Sequence, residues 1–372
     1  MIDQVVDRPK GLESPVREVL RLGAYQLAFL DGVAPPAAVD QSVRQVRGLR
    51  GSRARRSARA GLVNAALRSL AGEAGALSRD LAEEPAGVRH SLPDWIVSGL
   101  EASLGAHAEG VMAALNAPAE SAVRWNPRRG PREGVEAALP KDAWRRDDLI
   151  PEAYVLDAPF AIEDSQIWQE GRAMAQSRAS MLPARILAPE PGERVLDLCA
   201  APGAKTTHLA ALADGRAEIV AVELHASRAA GLRQMAQRMG ATIEVVEGDG
   251  RQVDLSASFD AVLVDPPCTG LGVLAARPDA RWKRREEALE PLVELQRALL
   301  ARALEVVRPG GRVVYSTCTL LSAENEEVIA TSGASVDPVV GDEYSAFDFD
   351  GAVRTLPGRD GTDGFYVARL RT

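Results

Sequence analysis

Residues 194–205 of this chain read RVLDLCAAPGAK, a short apolar run followed by a loop of small residues. The apolar run predicts a buried β-strand, and Thr206 and Thr207 after it open a predicted helix. Small side chains in such a loop let the backbone approach a bound ligand closely. Gly203 is the only glycine in this loop, so the GxGxxG fingerprint of dinucleotide-binding proteins is a poor match.

Five further runs rich in β-branched residues follow, and segments with helical spacing of apolar residues separate them. These runs are AEIVAVE (217–223), TIEVVEG (242–248), DAVLVD (260–265), GRVVYS (311–316) and FYVARL (365–370). Strands and helices that alternate in this way predict a doubly wound α/β domain. The ligand crevice of such a sheet lies at the carboxyl ends of its strands, so the residues that end these runs should converge on one pocket.

The remainder of the chain differs in composition, and we predict three domains. Residues 1–117 are rich in Ala, Leu and Arg with apolar residues at helical spacing, which predicts an all-helical domain. Prolines interrupt any long helix in residues 118–185, which indicates a small mixed α+β connector subdomain. Residues 186–372 form the α/β domain. No run approaches the roughly 18 apolar residues of a membrane span, and no signal sequence opens the chain, so we expect a cytoplasmic monomer.

Three acidic residues stand at the ends of successive predicted strands, namely Glu223, Asp249 and Asp265. A carboxylate at such a position accepts hydrogen bonds from ribose hydroxyls. Together with the loop of small residues, these acids suit a nucleoside ligand without a pyrophosphate, such as S-adenosylmethionine, whose sulfonium tolerates carboxylates. Any one of the acids is explained equally well as a helix or turn cap. Three acids at consecutive strand ends favour the ligand site.

The chain has three cysteines, Cys199, Cys268 and Cys318, which are widely spaced and form no CxxC pair. This pattern indicates neither a disulfide framework nor a zinc site, and we expect no bound metal. Cys268 ends the motif DPPC after the fourth strand of the series, where enzymes that methylate exocyclic amines typically carry an aromatic residue. Cys318 ends the motif STC after the fifth strand. A lone cysteine is usually core packing, but two thiols at neighbouring strand ends favour a catalytic pair.

Such a pair suits methylation of cytosine at C5, because this carbon is too electron-poor to accept a methyl group directly. Thiolate addition at C6 makes C5 enamine-like and nucleophilic. After methyl transfer the C5 proton must be removed and the thiol eliminated, which requires a base. We expect Asp265 to contact N3 or the exocyclic amine and to stabilise the charge that develops on addition. The residues alone leave open which thiol attacks.

The net charge of −8 argues by itself against a polyanionic partner, but the charge is unevenly distributed. No acidic residue occurs from position 41 to position 72, whereas eight arginines do: Arg44, Arg47, Arg50, Arg53, Arg55, Arg56, Arg59 and Arg68. Solvated helix faces normally mix both signs, so we interpret this segment as a nucleic-acid-binding surface. Two further basic runs, 124–129 and 277–285, each surround a tryptophan. Phosphate binding and a structural loop explain each of these two runs equally well.

The motifs VLDLCAAPGAKTTHLA, DPPCTG, YSTCTL and GTDGFYVARL resemble those of the RsmB (Sun or Fmu) family of ribosomal RNA cytosine-5 methyltransferases. The resemblance covers nearly the whole chain, and the segment from LRLGAYQLAFLDG to GLVNAALRSL resembles the NusB-like RNA-binding domain of that family. It implies a Rossmann-like, class I S-adenosylmethionine-dependent methyltransferase domain preceded by an all-helical NusB-like domain. The implied partner is RNA, namely 16S ribosomal RNA or an early small-subunit assembly intermediate.

The resemblance also assigns roles to the residues of the predicted pocket. It implies that Cys318 attacks the base through a covalent adduct at C6 and that Cys268 assists release of the product, with Asp265 as the third catalytic residue. The residues then assigned to binding of S-adenosylmethionine are Cys199, Ala200, Ala201, Pro202, Gly203, Ala204, Lys205, Glu223, Arg228, Asp249 and Asp265.

The chain departs from the family pattern in several respects, among them Ala204, Glu223 in place of the commoner aspartate and the segment 176–180. Three other functions are compatible with its residues. Ala204 stands where the family usually has a second glycine, which has no consequence only if this residue does not need a positive φ. The helical domain starts late, as though its first helices were missing. The alternatives are methylation of a cytosine in transfer RNA or another RNA, methylation of DNA or of an exocyclic amine, and a noncatalytic NusB-like assembly factor.

Overall fold

A computed structural model describes residues 2–6, 9–30, 32–255, 258–339 and 342–371 of the chain. The backbone contacts divide the chain into two compact units, Met1–Ser91 and Leu92–Thr372. Among the described residues, no helix combines the length and the apolar character needed to cross a bilayer.

The first unit is helical, as predicted. Its helices are α1 (Ile2–Val5), α2 (Ser14–Phe29), α3 (Pro35–Gly48), α4 (Arg53–Ala82) and α5 (Ala86–Arg89). Val16 and Leu20 of α2 and Val63, Leu67 and Leu70 of α4 lie in its core. The axes of α2 and α4 approach closely at Gly23, where an added Cβ would lie 2.5 Å from a methyl group of Leu67. The apolar spacing that predicted helices therefore also forms the core of this unit.

The second unit begins with helices α6 (Asp94–Leu104) and α7 (Ala108–Ala114) and a small antiparallel sheet. This sheet has the order β2-β3-β1-β4 and is built from β1 (Ala122–Trp125), β2 (Trp144–Arg146), β3 (Ala153–Leu156) and β4 (Ala173–Ala175). Two short helices, α8 (Arg132–Glu136) and α9 (Gln166–Gln169), lie between its strands in the sequence.

The large sheet follows and contains nine strands within the described part of the chain. In chain order its elements, with the helices between them, are α10 (Arg178–Leu187), β5 (Arg194–Asp197), α11 (Ala204–Leu212), β6 (Glu218–Glu223), α12 (Ala226–Met239), β7 (Ile243–Glu247), β8 (Phe259–Val264), α13 (Ala280–Lys283), α14 (Leu289–Val306), β9 (Val307–Thr317), α15 (Glu326–Ala330), β10 (Ser335–Val336), β11 (Asp348–Phe349), β12 (Ala352–Thr355) and β13 (Phe365–Arg371).

The strand order β11-β12-β13-β9-β8-β5-β6-β7 shows why the ligand crevice forms where it does. Strands β5 to β9 pair in parallel, and β13 adds to β9 in antiparallel fashion. The chain leaves β5 toward β6 on one side and returns to β8 on the other, so the strand order reverses between β5 and β8. Such a reversal opens a crevice between the loops that follow the two strands. Helices cover both faces, with α14 in one apolar core and α10 in the other. The predicted Rossmann-like α/β domain is confirmed.

The boundary between the compact units differs from the predicted domain boundary at residue 117. Helices α6 and α7 have the helical spacing that placed them in the first domain, but α6 lies in the second unit. There the hydroxyl of Ser103 accepts a hydrogen bond from the backbone N–H of Ser322 at 3.0 Å. An added Cβ at Gly99 would lie 2.9 Å from a methyl group of Leu321. Apolar spacing identifies a helix but not its packing partner. The predicted division into domains, at 117 and at 185, stays a prediction.

Candidate active site

A cleft of about 520 Å³ opens at the reversal point of the large sheet. This volume falls within the range usual for small-molecule sites. The predicted site residues that line the cleft are Cys199, Ala201, Pro202, Glu223, Arg228, Asp249, Asp265, Cys268 and Cys318. The other four, Ala200, Gly203, Ala204 and Lys205, belong to the loop after β5 and to the first turn of α11. The ends of successive strands therefore converge on one pocket, as the alternation of strands and helices predicted.

A glycine that packs against α12 and a buried acid at the end of β5 hold the loop after β5 in place. Gly203 has φ +109°, and an added Cβ there would lie 2.6 Å from a methyl group of Leu232. Ala204 is the first residue of α11 and lies outside the positive-φ region, so the missing second glycine causes no backbone strain here. Asp197 at the end of β5 accepts a hydrogen bond from the Thr206 hydroxyl at 2.7 Å. Burial, together with the nearby Asp265, raises the pKa of Asp197 to about 7.

The acids at the ends of β6 and β7 face the cleft and also make local backbone contacts. The Glu223 carboxylate accepts a hydrogen bond from the N–H of His225 at 3.0 Å, and its other oxygen lies 3.5 Å from the Arg228 guanidinium. Arg228 also donates to the carbonyl of Ala201 at 3.0 Å, which ties the loop after β5 to α12. The Asp249 carboxylate pairs with Arg251, and this hydrogen bond holds the pKa of Asp249 below its usual range. Glu223 and Asp249 therefore each make a local backbone or side-chain contact and still face the cleft, so the two explanations given from the sequence do not exclude each other.

The two thiols predicted to form a pair lie in contact. The Sγ atoms of Cys268 and Cys318 are 3.4 Å apart. The pKa of Cys318 is lowered by its hydrogen bond with Cys268 and by the positive charges of Lys205 and Arg277, although burial and the Asp265 carboxylate oppose this effect. The pKa of Cys268 is correspondingly raised by that hydrogen bond and by burial. The two thiols therefore differ, and the lower pKa belongs to Cys318.

Cys199 has a different environment, although it lines the same cleft. Burial raises the pKa of its thiol, and the carboxylates of Asp197, Asp265 and Glu223 raise it further. A thiolate is both the nucleophilic form and the metal-binding form of cysteine. Cys199 therefore stays a neutral thiol, and we assign it no nucleophilic role.

Asp265, at the end of β8, is oriented by two neighbours. Its Oδ2 lies 2.7 Å from the Nζ of Lys205, and its Oδ1 accepts a hydrogen bond from the buried Ser316 hydroxyl at 2.8 Å. Burial opposes the charge on Lys205, but the Asp265 carboxylate outweighs this and raises the pKa of the ammonium. An ion pair therefore lies beside the thiol pair, where charge on a bound base can be stabilised.

Comparison with known proteins identifies the class. A family model described as 16S rRNA methyltransferase RsmB/F matches residues 184–371, and the model of the NusB family matches residues 1–72. This chain belongs to the RsmB/F methyltransferase family. It is therefore an RNA methyltransferase with an N-terminal NusB domain, and the resemblance stated from the sequence motifs is confirmed.

Individual members of the RsmB/F family match over the whole chain. The chain is 30% identical to a probable ribosomal RNA small subunit methyltransferase B of Bacillus subtilis (strain 168), over 100% of this chain and 86% of that protein. It is 32% identical to the ribosomal RNA small subunit methyltransferase B of Sodalis glossinidius, over 100% of this chain and 84% of that protein. A crystal structure of a methyltransferase homolog protein from Pyrococcus horikoshii, 27% identical, covers 77% of this chain and 97% of its own with a TM-score of 0.67.

Sequence reasoning missed one residue of this RsmB/F site, the buried acid Glu324. One of its carboxylate oxygens accepts hydrogen bonds from the backbone N–H of Thr269 at 2.8 Å and from the Gln296 amide at 3.0 Å. In the sequence, Glu324 stands in the run AENEE, which is typical of the exposed first turn of a helix. No feature of the sequence separates it from its exposed neighbour Glu327, so only the packed structure identifies it.

The basic run 277–285 divides between the cleft and the protein interior. Arg277 and Arg284 line the cleft. Arg281 is buried and donates to the side chain of Asn116 at 2.7 Å and to the carbonyl of Leu115 at 3.1 Å. Trp282 is 63% exposed, which excludes the interpretation of this residue as core packing. This run thus supplies two cations to the cleft and anchors itself through a third.

Proposed function

We propose that this RsmB/F methyltransferase transfers a methyl group from S-adenosylmethionine to C5 of a cytosine in 16S ribosomal RNA, with Cys318 as the nucleophile. The observation that carries the proposal is the contact of two unlike thiols, 3.4 Å apart, in the cleft that also contains the loop after β5. Methylation of an exocyclic amine needs no thiol, whereas C5 methylation needs a thiolate at C6. The thiol pair therefore favours cytosine C5 over the amine alternative.

The residues of the cleft fit S-adenosylmethionine, which would supply the methyl group. Glu223 presents a carboxylate at the end of β6, the position that binds ribose hydroxyls in doubly wound folds. Asp249 lines the neighbouring part of the cleft, and Gly250 after it lets this loop pack closely against the end of β5, because an added Cβ there would lie 3.1 Å from the carbonyl of Leu198. Arg228 holds the loop after β5 in place through the carbonyl of Ala201.

Addition to the base begins at Cys318. Its thiolate attacks C6, and the electron pair of the C5–C6 double bond moves into the ring, where C5 becomes nucleophilic. Asp265 accepts a hydrogen bond from the exocyclic amine, and Lys205 beside it compensates the negative charge that develops at the ring. The neighbouring Ser316 keeps the Asp265 carboxylate in the required orientation.

Release of the product reverses the addition. A base removes the C5 proton, the C5–C6 double bond forms again, and the electron pair of the C6–S bond returns to the sulfur of Cys318. The Cys268 thiol donates a hydrogen bond to this departing thiolate, which stabilises it. Removing Cys268 should therefore slow release without preventing attack.

The substrate class follows from the family, whose model is described as 16S rRNA methyltransferase. We propose that the reaction takes place in the cytoplasm on 16S ribosomal RNA or on an early small-subunit assembly intermediate. Transfer RNA is the main alternative, because the same thiol chemistry applies to any accessible cytosine. A noncatalytic assembly factor is disfavoured, because both thiols, the ion pair at Asp265 and the strand-end acids lie together in the cleft.

The test is incubation of the protein with labelled S-adenosylmethionine and unmodified total RNA, followed by mapping of 5-methylcytosine. We expect label at C5 of a cytosine in 16S RNA.

Cys318→Ala should abolish methylation, and Cys268→Ala should accumulate a covalent RNA adduct. RNA that contains 5-fluorocytosine should trap the wild-type protein, because fluorine cannot leave C5 as a proton does, and peptide mapping should place the bond at Cys318. Adducts formed by Cys318→Ala would overturn the assignment, and label confined to transfer RNA would change the substrate.

A further inference from the structure

The carboxylate of Glu324 connects the two loops that carry the thiols. It lies in the turn Ser322–Glu324 and is fully buried. Besides the bonds from the Thr269 backbone and from Gln296, its second oxygen accepts a hydrogen bond from the Thr269 hydroxyl. A buried carboxylate is stable only with such a set of donors, because desolvation of an unpaired charge is costly.

The partners of Glu324 lead to the backbone beside Cys268 and, through one further hydroxyl, to the residue after Cys318. Thr269 follows Cys268 directly, and its hydroxyl lies 2.7 Å from that of Thr319, which follows Cys318 directly. Gln296 also donates to the carbonyl of Pro267, which precedes Cys268, at 2.9 Å. One carboxylate therefore fixes the backbone on both sides of Cys268 and, through Thr319, the residue after Cys318.

These hydrogen bonds run in one direction. The Thr269 hydroxyl donates to the Glu324 carboxylate, so in turn it accepts from the Thr319 hydroxyl. The backbone is fixed as well, because the Tyr315 hydroxyl donates to the carbonyl of Glu324 at 2.7 Å. The hydrogen bonds between the two loops thus all run toward the Glu324 carboxylate.

The charges around the two thiols differ. The negative charge of Glu324 adds to the hydrogen bond and burial that raise the pKa of Cys268. On the other side, the cations of Lys205 and Arg277 add to the hydrogen bond that lowers the pKa of Cys318. The Asp265 carboxylate acts on both sulfurs, and at Cys318 it opposes the two cations, whereas Glu324 acts on Cys268. The cations at Cys318 and the additional carboxylate at Cys268 make the surroundings of the two thiols unequal.

We propose that Glu324 is a positioning residue that holds the two thiols in contact and makes them unequal, so that Cys268 donates the hydrogen bond and Cys318 accepts it. The role of this pair in methyl transfer rests on the function proposed above. In that reaction Glu324 keeps a proton on Cys268 at two stages. The proton stabilises the Cys318 thiolate before attack, and it stabilises the same thiolate again when the C6–S bond breaks.

The test measures the alkylation of each thiol by trace iodoacetamide as a function of pH, resolved by peptide mass spectrometry. In the wild type, Cys318 should react at neutral pH and Cys268 only at much higher pH. In Glu324→Gln, the ratio of Cys268 to Cys318 labelling at pH 7.5 should rise at least tenfold, because the charge that keeps Cys268 protonated is gone. Glu324→Asp retains the charge and should restore most of the wild-type ratio. The matched control is Glu327→Gln, which neutralises an exposed acid three residues away and should leave the ratio unchanged.

A folded Glu324→Gln protein with the wild-type labelling ratio and pH profile would overturn the proposal. Equal behaviour of the Gln and Asp variants would do the same, because it would show that shape rather than charge matters. Should Glu324→Gln fail to fold, Thr269→Val removes one donor to the carboxylate and the link to Thr319 while it retains the charge. This variant should raise the ratio about threefold, and a folded Thr269→Val protein with an unchanged ratio would contradict the proposal.

A second readout separates this proposal from the function. With 16S RNA as substrate, Glu324→Gln should accumulate a covalent adduct as Cys268→Ala does, because the departing thiolate loses its donor. If the wild type methylated no RNA, the proposed function would fail, while the alkylation ratio would still decide the role of Glu324.

Discussion

Two arginine-rich segments, 44–68 and 124–129, have a similar composition in the sequence but make different contacts in the structure. In the first segment, seven of the eight arginines are exposed, and Arg59 alone is buried, where it pairs with Glu13. In the second, Arg124 is buried and donates to the carbonyl of Ala204 at 2.7 Å and to the Thr207 hydroxyl at 2.9 Å. The first surface remains open to a polyanion, whereas the second holds the helix that follows the loop after β5.

The other two arginines of segment 124–129 also donate to main-chain carbonyls. Arg129 donates to the carbonyls of Arg238 and Gln237, and Arg128 donates to that of Gly240. These carbonyls lie at the C-terminal end of α12, where unsatisfied acceptors and the helix dipole attract cations. In segment 124–129 the guanidinium groups donate to main-chain carbonyls and to a buried hydroxyl. These contacts favour the structural explanation for this segment.

The largest effect should come from Arg124. Burial lowers the pKa of its guanidinium to about 9, which shows how far this group is removed from water. Arg124→Ala would leave a cavity and would remove the donor to the Ala204 carbonyl and to the Thr207 hydroxyl, so we expect a loss of about 3 kcal/mol in the free energy of unfolding. Urea unfolding followed by circular dichroism measures it. Arg145→Ala, at an exposed position of β2, is the control and should change stability by less than about 0.5 kcal/mol. Equal losses for both variants would contradict the contrast between the segments.

An intermediate effect should come from the exposed segment. Replacing Arg47, Arg50, Arg56 and Arg68 together by Gln should weaken RNA binding about tenfold or more. The slope of log K against log salt should fall by about 0.7 to 0.9 for each phosphate that the protein no longer neutralises. Filter binding at several salt concentrations gives both quantities. The double variant Arg128→Gln, Arg129→Gln is the control and should keep the wild-type slope. If the quadruple variant also kept the wild-type salt slope, the arginines of the exposed segment would contribute to solubility and not to RNA binding.

The smallest effect should come from Arg44, whose guanidinium pairs with Asp40 at 2.8 Å on the surface of α3. Exposed pairs at this spacing contribute about 0.3 to 0.5 kcal/mol. Arg44→Ala should therefore leave the free energy of unfolding within about 0.5 kcal/mol of the wild type while it lowers RNA affinity. Thermal unfolding measures the change in stability, and titration of the same sample with RNA measures the change in affinity. A stability loss like that of Arg124→Ala would show that the first segment is structural after all.

Much of the methyltransferase domain could be predicted from the sequence. Strands that are buried on both faces appear in the sequence as nearly continuous apolar runs, so they can be identified along the chain. The alternation with helices then predicts parallel pairing, which brings the ends of these strands together. This is why the thiols of Cys268 and Cys318 could be expected to lie close to each other and to Asp265. The helical character of the first unit could be predicted from spacing for the same reason.

Other features could not be predicted, because they depend on which surfaces meet. The packing of α6 against the segment around Leu321 moved the unit boundary to Ser91, since a helical pattern does not name its partner. The exposure of Trp282 and the burial of Arg281, adjacent residues in one short helix, follow from the position of that helix against residues 115 and 116.

The sequence by itself determined the order of the strands, the loop after β5 and the placement of two thiols at neighbouring strand ends, because these depend on local apolar patterns and on chain connectivity. Only the tertiary structure decided that one arginine-rich segment is a surface and the other a support, and that Glu324 lies beneath the thiols. The physical reason is burial, which turns the same charged side chain from a solvated group into one that must be satisfied by particular neighbours.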